Sequence, residues 1–262
     1  MSKKQVVDLD EYNETFVSGL EWMWGEGFMS PGGPAEVAAI LNGVDVQGKH
    51  VLDIGCGIGG IDILLVKTHG AAMVTGTDVD GRLVSCAQEA AERAGLAQQV
   101  FPQLVEPGPL PFPNNHFDIV FSKDSILHIP DKEMIYREIY RVLKPGGWIA
   151  TSDWYGSTLP KTKEYDAWFA VFGLDVEMAP IEEAAELITA VGFVDVTYED
   201  RNQWYAQNME EELAAISGEN YEKLVAALGT EAAEQRLTSS TRKKVVVNQG
   251  LLRPGHVRGR KP

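Results

Sequence analysis

The stretch Val51-Leu52-Asp53-Ile54-Gly55-Cys56-Gly57-Ile58-Gly59-Gly60 carries an apolar run into a group of glycines. Glycines placed this way let the chain turn sharply and bring its backbone against a ligand at the carboxyl edge of a sheet. Asp53 stands inside the apolar run, where a carboxylate is costly unless it serves a polar partner such as a positively charged amino group. Asp78 closes the next apolar run, where a carboxylate accepts both hydrogen bonds of a ribose diol. Gly55, Gly57 and Gly60 also satisfy the dinucleotide pattern G-x-G-x-x-G, so the loop alone leaves more than one nucleotide-like ligand open.

A second group, Lys123-Asp124-Ser125-Ile126-Leu127-His128, follows the fourth apolar run. Asp124 and His128 are one helical turn apart and share a side, and an imidazole titrates near neutral pH. Trp22, Trp24, Trp154, Trp168 and Trp204 lie in segments able to surround a cationic acceptor, which aromatic faces stabilise by roughly 0.5 to 2 kcal/mol. Of these we assign only Trp154, at the end of the fifth run, to the substrate. Arg242, Lys243 and Lys244 form a late basic cluster. The only cysteines, Cys56 and Cys86, fit neither a disulfide framework nor a metal-ligand spacing, and no metal is expected.

The elements that must hold these residues read as an α/β pattern. Strands are expected at 50–54, 72–78, 100–105, 117–122 and 148–154, with helices at 61–68, 81–94 and 132–143 between them. Lys144-Pro145-Gly146-Gly147 stops the last of these helices. A helix at 181–191, a sixth strand at 193–198, mostly helical residues 209–248 with breaks near Gly218 and Gly229, and a final strand at 251–258 complete the reading. The fold expected is a Rossmann-like doubly wound, seven-stranded, mainly parallel sheet with an N-terminal lid and C-terminal helical additions. Residues 1–48 form the lid, with a helix at 14–24 and a Gly/Pro turn after it. Residues 49–262 form the core, with a lid insertion at about 155–180 and late helices at about 209–249. Nothing after the fifth strand resembles a second mononucleotide-binding half, which with Asp53 favours S-adenosylmethionine over a dinucleotide.

With a net charge of −15, the chain would meet a nucleic-acid backbone or an anionic membrane with a repulsive field. No nucleic-acid or membrane partner is expected, and the residues assign no oligomeric state. The N-terminus lacks an apolar stretch of signal-peptide length, so a cytoplasmic location is expected.

Asp53 to Gly60, Asp78, the stretch Pro111-Phe112-Pro113-Asn114-Asn115-His116-Phe117-Asp118 and the Lys144–Gly147 turn resemble, in order and spacing, the motifs of class I S-adenosylmethionine-dependent methyltransferases. The resemblance implies cofactor contacts from Asp53, Gly55, Gly57, Gly59, Asp78, Val79, Ser30 and Lys123. It also implies that Glu106 meets the adenine amino group beside Pro107. Tyr12, the segment from Gly25 to Gly33 and the run Asp124 to His128 are similar to the phosphoethanolamine N-methyltransferases. In that family a lid Tyr and a His after the fourth strand pair beside the transferred methyl. Tyr12 and His128 match them, with Asp124 as the third catalytic candidate and Met29, Trp154, Arg242 and Lys243 as substrate candidates.

The family's phosphate-binding Arg and Tyr belong to a stretch that here, at residues 172–177, contains no basic residue. A phosphate dianion normally takes bidentate Arg or clustered Lys. The reading is therefore an S-adenosylmethionine-dependent transfer to a small-molecule nitrogen, amine or imidazole, such as a 5-thiohistidine-like amino-acid derivative. Phosphoethanolamine, or a carbon or sulfur acceptor, is the alternative within the class. An NAD-dependent oxidoreductase or a non-catalytic cofactor-binding module is the alternative outside it.

Overall fold

The computed structural model describes residues 14–172, 176 and 178–262. α1 (Glu14–Trp24) and α2 (Gly33–Ile40) precede the sheet. The five expected runs form β1 (His50–Ile54), β2 (Met73–Asp78), β3 (Val100–Leu104), β4 (Phe117–Lys123) and β5 (Leu143–Tyr155), all paired in parallel. Between them stand α3 (Gly60–Lys67), α4 (Gly81–Arg93) and α5 (Lys132–Val142). The chain continues through α6 (Lys163–Phe172), α7 (Ile181–Val191), β6 (Val194–Asp200), α8 (Asn202–Ile216), α9 (Tyr221–Leu228) and α10 (Thr230–Asn248) to β7 (Arg253–Arg260).

The seven strands are ordered β3-β2-β1-β4-β5-β7-β6, and β7 runs antiparallel to both neighbours. Strand order reverses between β1 and β4, and in open α/β sheets a ligand crevice lies beyond the carboxyl ends of the strands at such a reversal. β1 and β4 are buried almost throughout, as strands covered on both faces must be, which is why their sequences are nearly continuous apolar runs. One face packs Ile135, Ile139 and Ile188 from α5 and α7, with Phe193 just before β6. The other packs Val37, Ile40, Leu65 and Ala91 from α2, α3 and α4. Local chemistry agrees with these boundaries: the Asp80 and Asp131 carboxylates accept from the Arg82 and Met134 backbone N–H groups at 2.8 and 2.9 Å, capping α4 and α5.

Three differences from the sequence reading have physical causes. β5 begins at Leu143, because Leu143 pairs with Phe117 and the next partner is Trp148 opposite Ile119, so the Lys144–Gly147 turn bulges out of a continuing strand. α2 follows the expected Gly/Pro turn, where the sequence reading set no separate helix: Pro34 enters the first turn, where its missing N–H costs nothing, and Val37 and Ile40 are driven onto the sheet. α6 forms inside the expected lid insertion, because Tyr165 and Trp168 bury against Tyr205, Met209 and Val246 of α8 and α10. Its periodic signal is too short to read without those partners. Among the described residues no helix is long and apolar enough to cross a membrane.

Candidate functional site

The glycine loop leaves β1 at the strand reversal. Gly55 and Gly59 have φ of 80° and 84°, in the left-handed region that a side chain rarely adopts. Crowding adds a second requirement: a Cβ at Gly55 would stand 2.0 Å from Ser125 Oγ, and one at Gly60 would stand 2.0 Å from the Gly27 carbonyl oxygen. The N-terminal segment therefore lies directly on the loop, and Met29 Sδ is 2.9 Å from the position of a Cβ on Gly57.

Asp78, at the tip of β2, accepts hydrogen bonds from the Gly57 and Asp80 backbone N–H groups at 3.0 and 3.1 Å, one on each carboxylate oxygen. Burial raises its pKa, while these backbone donors pull it back. Each oxygen keeps a second lone pair, which suits a vicinal diol. Val105 N–H bonds the Asp78 carbonyl at 2.9 Å, so Glu106, exposed, and Pro107 follow immediately beside it, with Val79 half-buried on the β2 side. A Gly-only cradle, a diol-ready carboxylate and a neighbouring acid together fit S-adenosylmethionine.

Asp53 is differently placed from a simple ligand contact. Its carboxyl oxygens are shielded from solvent and meet no hydrogen-bond donor among the described residues, and the equally buried Asp62 of α3, also without a donor, is the acid that acts on it. Burial raises Asp53 to about 7, the neighbouring Asp62 carboxyl opposes the rise and the Asp78 charge adds to it. Burial raises Asp62 still more clearly. The pair fits only because β2 carries Gly76 at this level: a Cβ there would stand 2.2 Å from Asp62 Oδ2.

At the tip of β4, Lys123 Nζ donates to Ser30 Oγ at 2.5 Å and to Asp124 Oδ2 at 2.9 Å, with side chains 2% and 10% exposed respectively for Lys123 and Asp124. This pair ties the N-terminal segment to the sheet. Asp124 has φ of 55°, uncommon for a residue with a side chain and held here by its N–H bond to Ser152 O. A 3₁₀ turn, Ile126–His128, presents His128 half-buried. Lys132 Nζ donates to the Ile126, Leu127 and Ile129 carbonyl oxygens at 2.7, 2.9 and 2.6 Å, using all three ammonium donors on that turn. Burial and then the Lys132 charge lower the His128 pKa, with Asp124 opposing, so the imidazole is neutral at neutral pH.

Trp154, the penultimate residue of β5, is edge-on to Tyr205, with ring centroids 4.7 Å apart. Lys243 Nζ lies 5.8, 5.6 and 5.2 Å from the Trp24, Trp154 and Tyr205 ring centroids and 3.6 Å from Glu212 Oε2. Arg242 is turned the other way, exposed, and donates to Ala167 O of α6 at 2.9 Å. The structure thus gathers Ser30, Lys123, Asp124, Trp154 and Lys243 on one side and leaves Arg242 outside, since neighbouring helical residues point about 100° apart. Tyr12, and residues 173–175 and 177 of the stretch without basic residues, lie outside the described residues.

Asp62, Lys132, Tyr205 and Glu212 were missed by sequence reasoning, and Trp24 was weighed there but not assigned. A signal existed for Glu212: Tyr205, Met209, Glu212 and Ile216 form the buried face of α8, so a Glu sits where the helix repeat calls for an apolar side chain. Lys132 was hidden as the first residue of an amphipathic helix.

Residues 52–151 match the family model described as a methyltransferase domain. The chain is 30% identical over 236 residues to phosphoethanolamine N-methyltransferase of Triticum aestivum, covering 90% of this chain and 46% of that protein. It is 27% identical to the enzyme of that name from Plasmodium falciparum, covering 80% of this chain and 79% of the relative. The solved structure of Haemonchus contortus phosphoethanolamine N-methyltransferase 2, in complex with phosphomonomethylethanolamine and S-adenosylhomocysteine, superposes with a TM-score of 0.88 at 26% identity, covering 97% of this chain and 60% of that one. The chain spans less than half the length of the wheat protein it matches.

Proposed function

This chain carries a class I S-adenosylmethionine-dependent methyltransferase domain that resembles the phosphoethanolamine N-methyltransferases, and on that premise we propose that it methylates the nitrogen of a small amine bearing an anionic group. The observation that carries the reading is the pairing, at one end of the sheet, of Asp124 and a neutral His128 with the aromatic-ringed ammonium of Lys243. Phosphoethanolamine belongs to this class of acceptor, and relatives are named for it.

When bound, S-adenosylmethionine supplies a sulfonium methyl group that needs no further activation. The chain's own residues then have to position the acceptor, exclude water and keep its nitrogen unprotonated. Asp78 and Glu106 hold the nucleoside, and the loop from Gly55 to Gly59 holds the remainder close to backbone. Asp124, with Oδ2 paired to Lys123, orients the acceptor's amine by accepting a hydrogen bond. His128 accepts its proton at a ring nitrogen, the resemblance gives Tyr12 the role of its partner, and Lys243 holds the anionic end. Met29 and Ser30 cover the loop and keep water out.

A second reading, an imidazole acceptor such as a 5-thiohistidine-like amino-acid derivative, is favoured by the outward turn of Arg242 and by the absence of basic residues at 172–177. Labelled-methyl transfer to phosphoethanolamine, ethanolamine and 5-thiohistidine separates the two. His128→Ala should lower turnover on the true acceptor by about 10² to 10⁴ and leave S-adenosylhomocysteine affinity unchanged. Unchanged turnover would remove His128 as the base.

A further inference from the structure

Glu212 is a carboxylate on the buried face of α8, 3% exposed. Three groups converge on it. Trp24 Nε1 donates to Oε1 at 2.9 Å, the Tyr205 hydroxyl donates to Oε2 at 3.1 Å, and Lys243 Nζ stands 3.6 Å from Oε2. Two of the three aromatic side chains around Lys243 therefore also hold its counter-charge, and the Lys243 side chain is only 14% exposed. A second cation, Arg236, is close enough to act on both: burial lowers the Lys243 pKa, Glu212 raises it and the Arg236 guanidinium lowers it again. Arg236 itself lies over the Phe16 ring of α1 and donates to the Phe16 carbonyl at 3.5 Å. Asp124, the other acid that acts on Lys243, is paired with Lys123.

The charge left over follows by counting. Lys243 and Arg236 set two positive charges against the one negative charge of Glu212, and Lys123 cancels Asp124. One positive charge is uncompensated. A phosphate monoester near neutral pH carries close to two negative charges, because its second pKa is about 6. A carboxylate carries one. In a region shielded from water the mismatch is not screened by solvent.

We infer that Glu212 is a specificity-determining residue that limits the anionic end of the acceptor to a single negative charge. The inference rests on the reading that Lys243 faces that end. It places the preferred acceptor among amino carboxylates and singly charged esters rather than phosphate dianions. Glu212 does so by withdrawing half of the positive charge that Lys243 and Arg236 would otherwise present.

The test is calorimetric binding to the full chain with S-adenosylhomocysteine present, near pH 7.5, where the phosphate is doubly charged. The ligands are phosphoethanolamine and β-alanine, which differ in the charge set opposite a similar amine. Glu212→Gln keeps an acceptor for Trp24 and removes the charge. It should tighten phosphoethanolamine binding at least about tenfold while changing β-alanine by less than about threefold. No tightening, or equal tightening of both ligands, overturns the inference and leaves the acceptor reading standing. If neither protein binds either ligand, the acceptor reading fails and this inference with it. Should Glu212→Gln fail to melt cooperatively, Lys243→Gln provides the reciprocal measurement. It should weaken phosphoethanolamine more than β-alanine, and the opposite order overturns the inference.

Discussion

Asp53 and Asp62 bring two buried carboxyls together, one from β1 and one from the first turn of α3, and none of their four oxygens meets a hydrogen-bond donor among the described residues. Two neighbouring buried carboxyls cannot both ionise without a large penalty, so the pair retains a proton. The cofactor loop is thus built on an acid pair that is stable in one ionisation state.

That pair sets a pH dependence whose sign is fixed. Asp53 is raised from 3.8 to about 7 in the folded chain, so on alkalinisation the unfolded chain releases a proton that the folded chain retains. Its contribution to stability is full below the unfolded value and is lost as pH rises through about 7. Asp62→Asn keeps a donor for an ionised Asp53 and ends the competition for the proton. The variant should be more stable than the parent at about pH 8, by roughly 1 to 3 kcal/mol, and should lose less stability between about pH 5 and 8. Thermal melts across this range check it. Parallel curves for the two proteins would rule the pair out as the source.

Lys132 both holds the turn that carries His128 and lowers the imidazole's pKa. Lys132→Met should reduce turnover by roughly tenfold and move the acid limb of the rate profile to higher pH, because a positive charge beside His128 is gone. Lys132→Arg keeps the charge without the compact three-way donor. Its limb should stay in place while turnover falls. A limb that stays put in Lys132→Met would mean that the profile reports another group.

Gly60→Ala drives a methyl group to within 2.0 Å of the Gly27 carbonyl oxygen, a clash of backbone against Cβ that no rotamer relieves. The segment from Gly25 to Gly33 has to lift from the loop, at a cost of about 1 to 3 kcal/mol. We expect faster proteolysis within that segment, a raised KM for the acceptor and an intact sheet by circular dichroism. Unaltered proteolysis would show that the segment accommodates the methyl group in place.

Glu36 of α2 bonds Arg201 at 2.7 Å and buried His256 of β7 at 2.7 Å, fastening the N-terminal helices to the antiparallel edge of the sheet. Burial pushes the Glu36 pKa up, but the His256 and Arg201 hydrogen bonds outweigh it and hold the pKa below 4.5. This contribution is present above the unfolded value and disappears as pH falls through the lowered one. Arg201→Ala should cost roughly 2 to 4 kcal/mol at neutral pH and bring on acid unfolding at higher pH. Denaturant melts at neutral and acid pH measure both effects.

The cofactor half of the site was legible because it is written in consecutive residues. A loop that must turn at Gly55 and Gly59 and a carboxylate at the tip of β2 follow from chain geometry within single βα units, and the order of the apolar runs dictated a mainly parallel sheet. The acceptor half was legible only in part. Asp124, His128 and Lys243 stood out by residue type, while the outward turn of Arg242 depends on which face α10 buries.

Tertiary structure alone decided the rest. Asp53 meets Asp62 because Gly76 of a neighbouring strand leaves room for them, and Glu212 meets Trp24 and Lys243 from helices 188 and 31 residues away in the chain. A buried charge takes its meaning from the partners that replace water around it, and those partners are assembled by packing rather than by sequence neighbourhood.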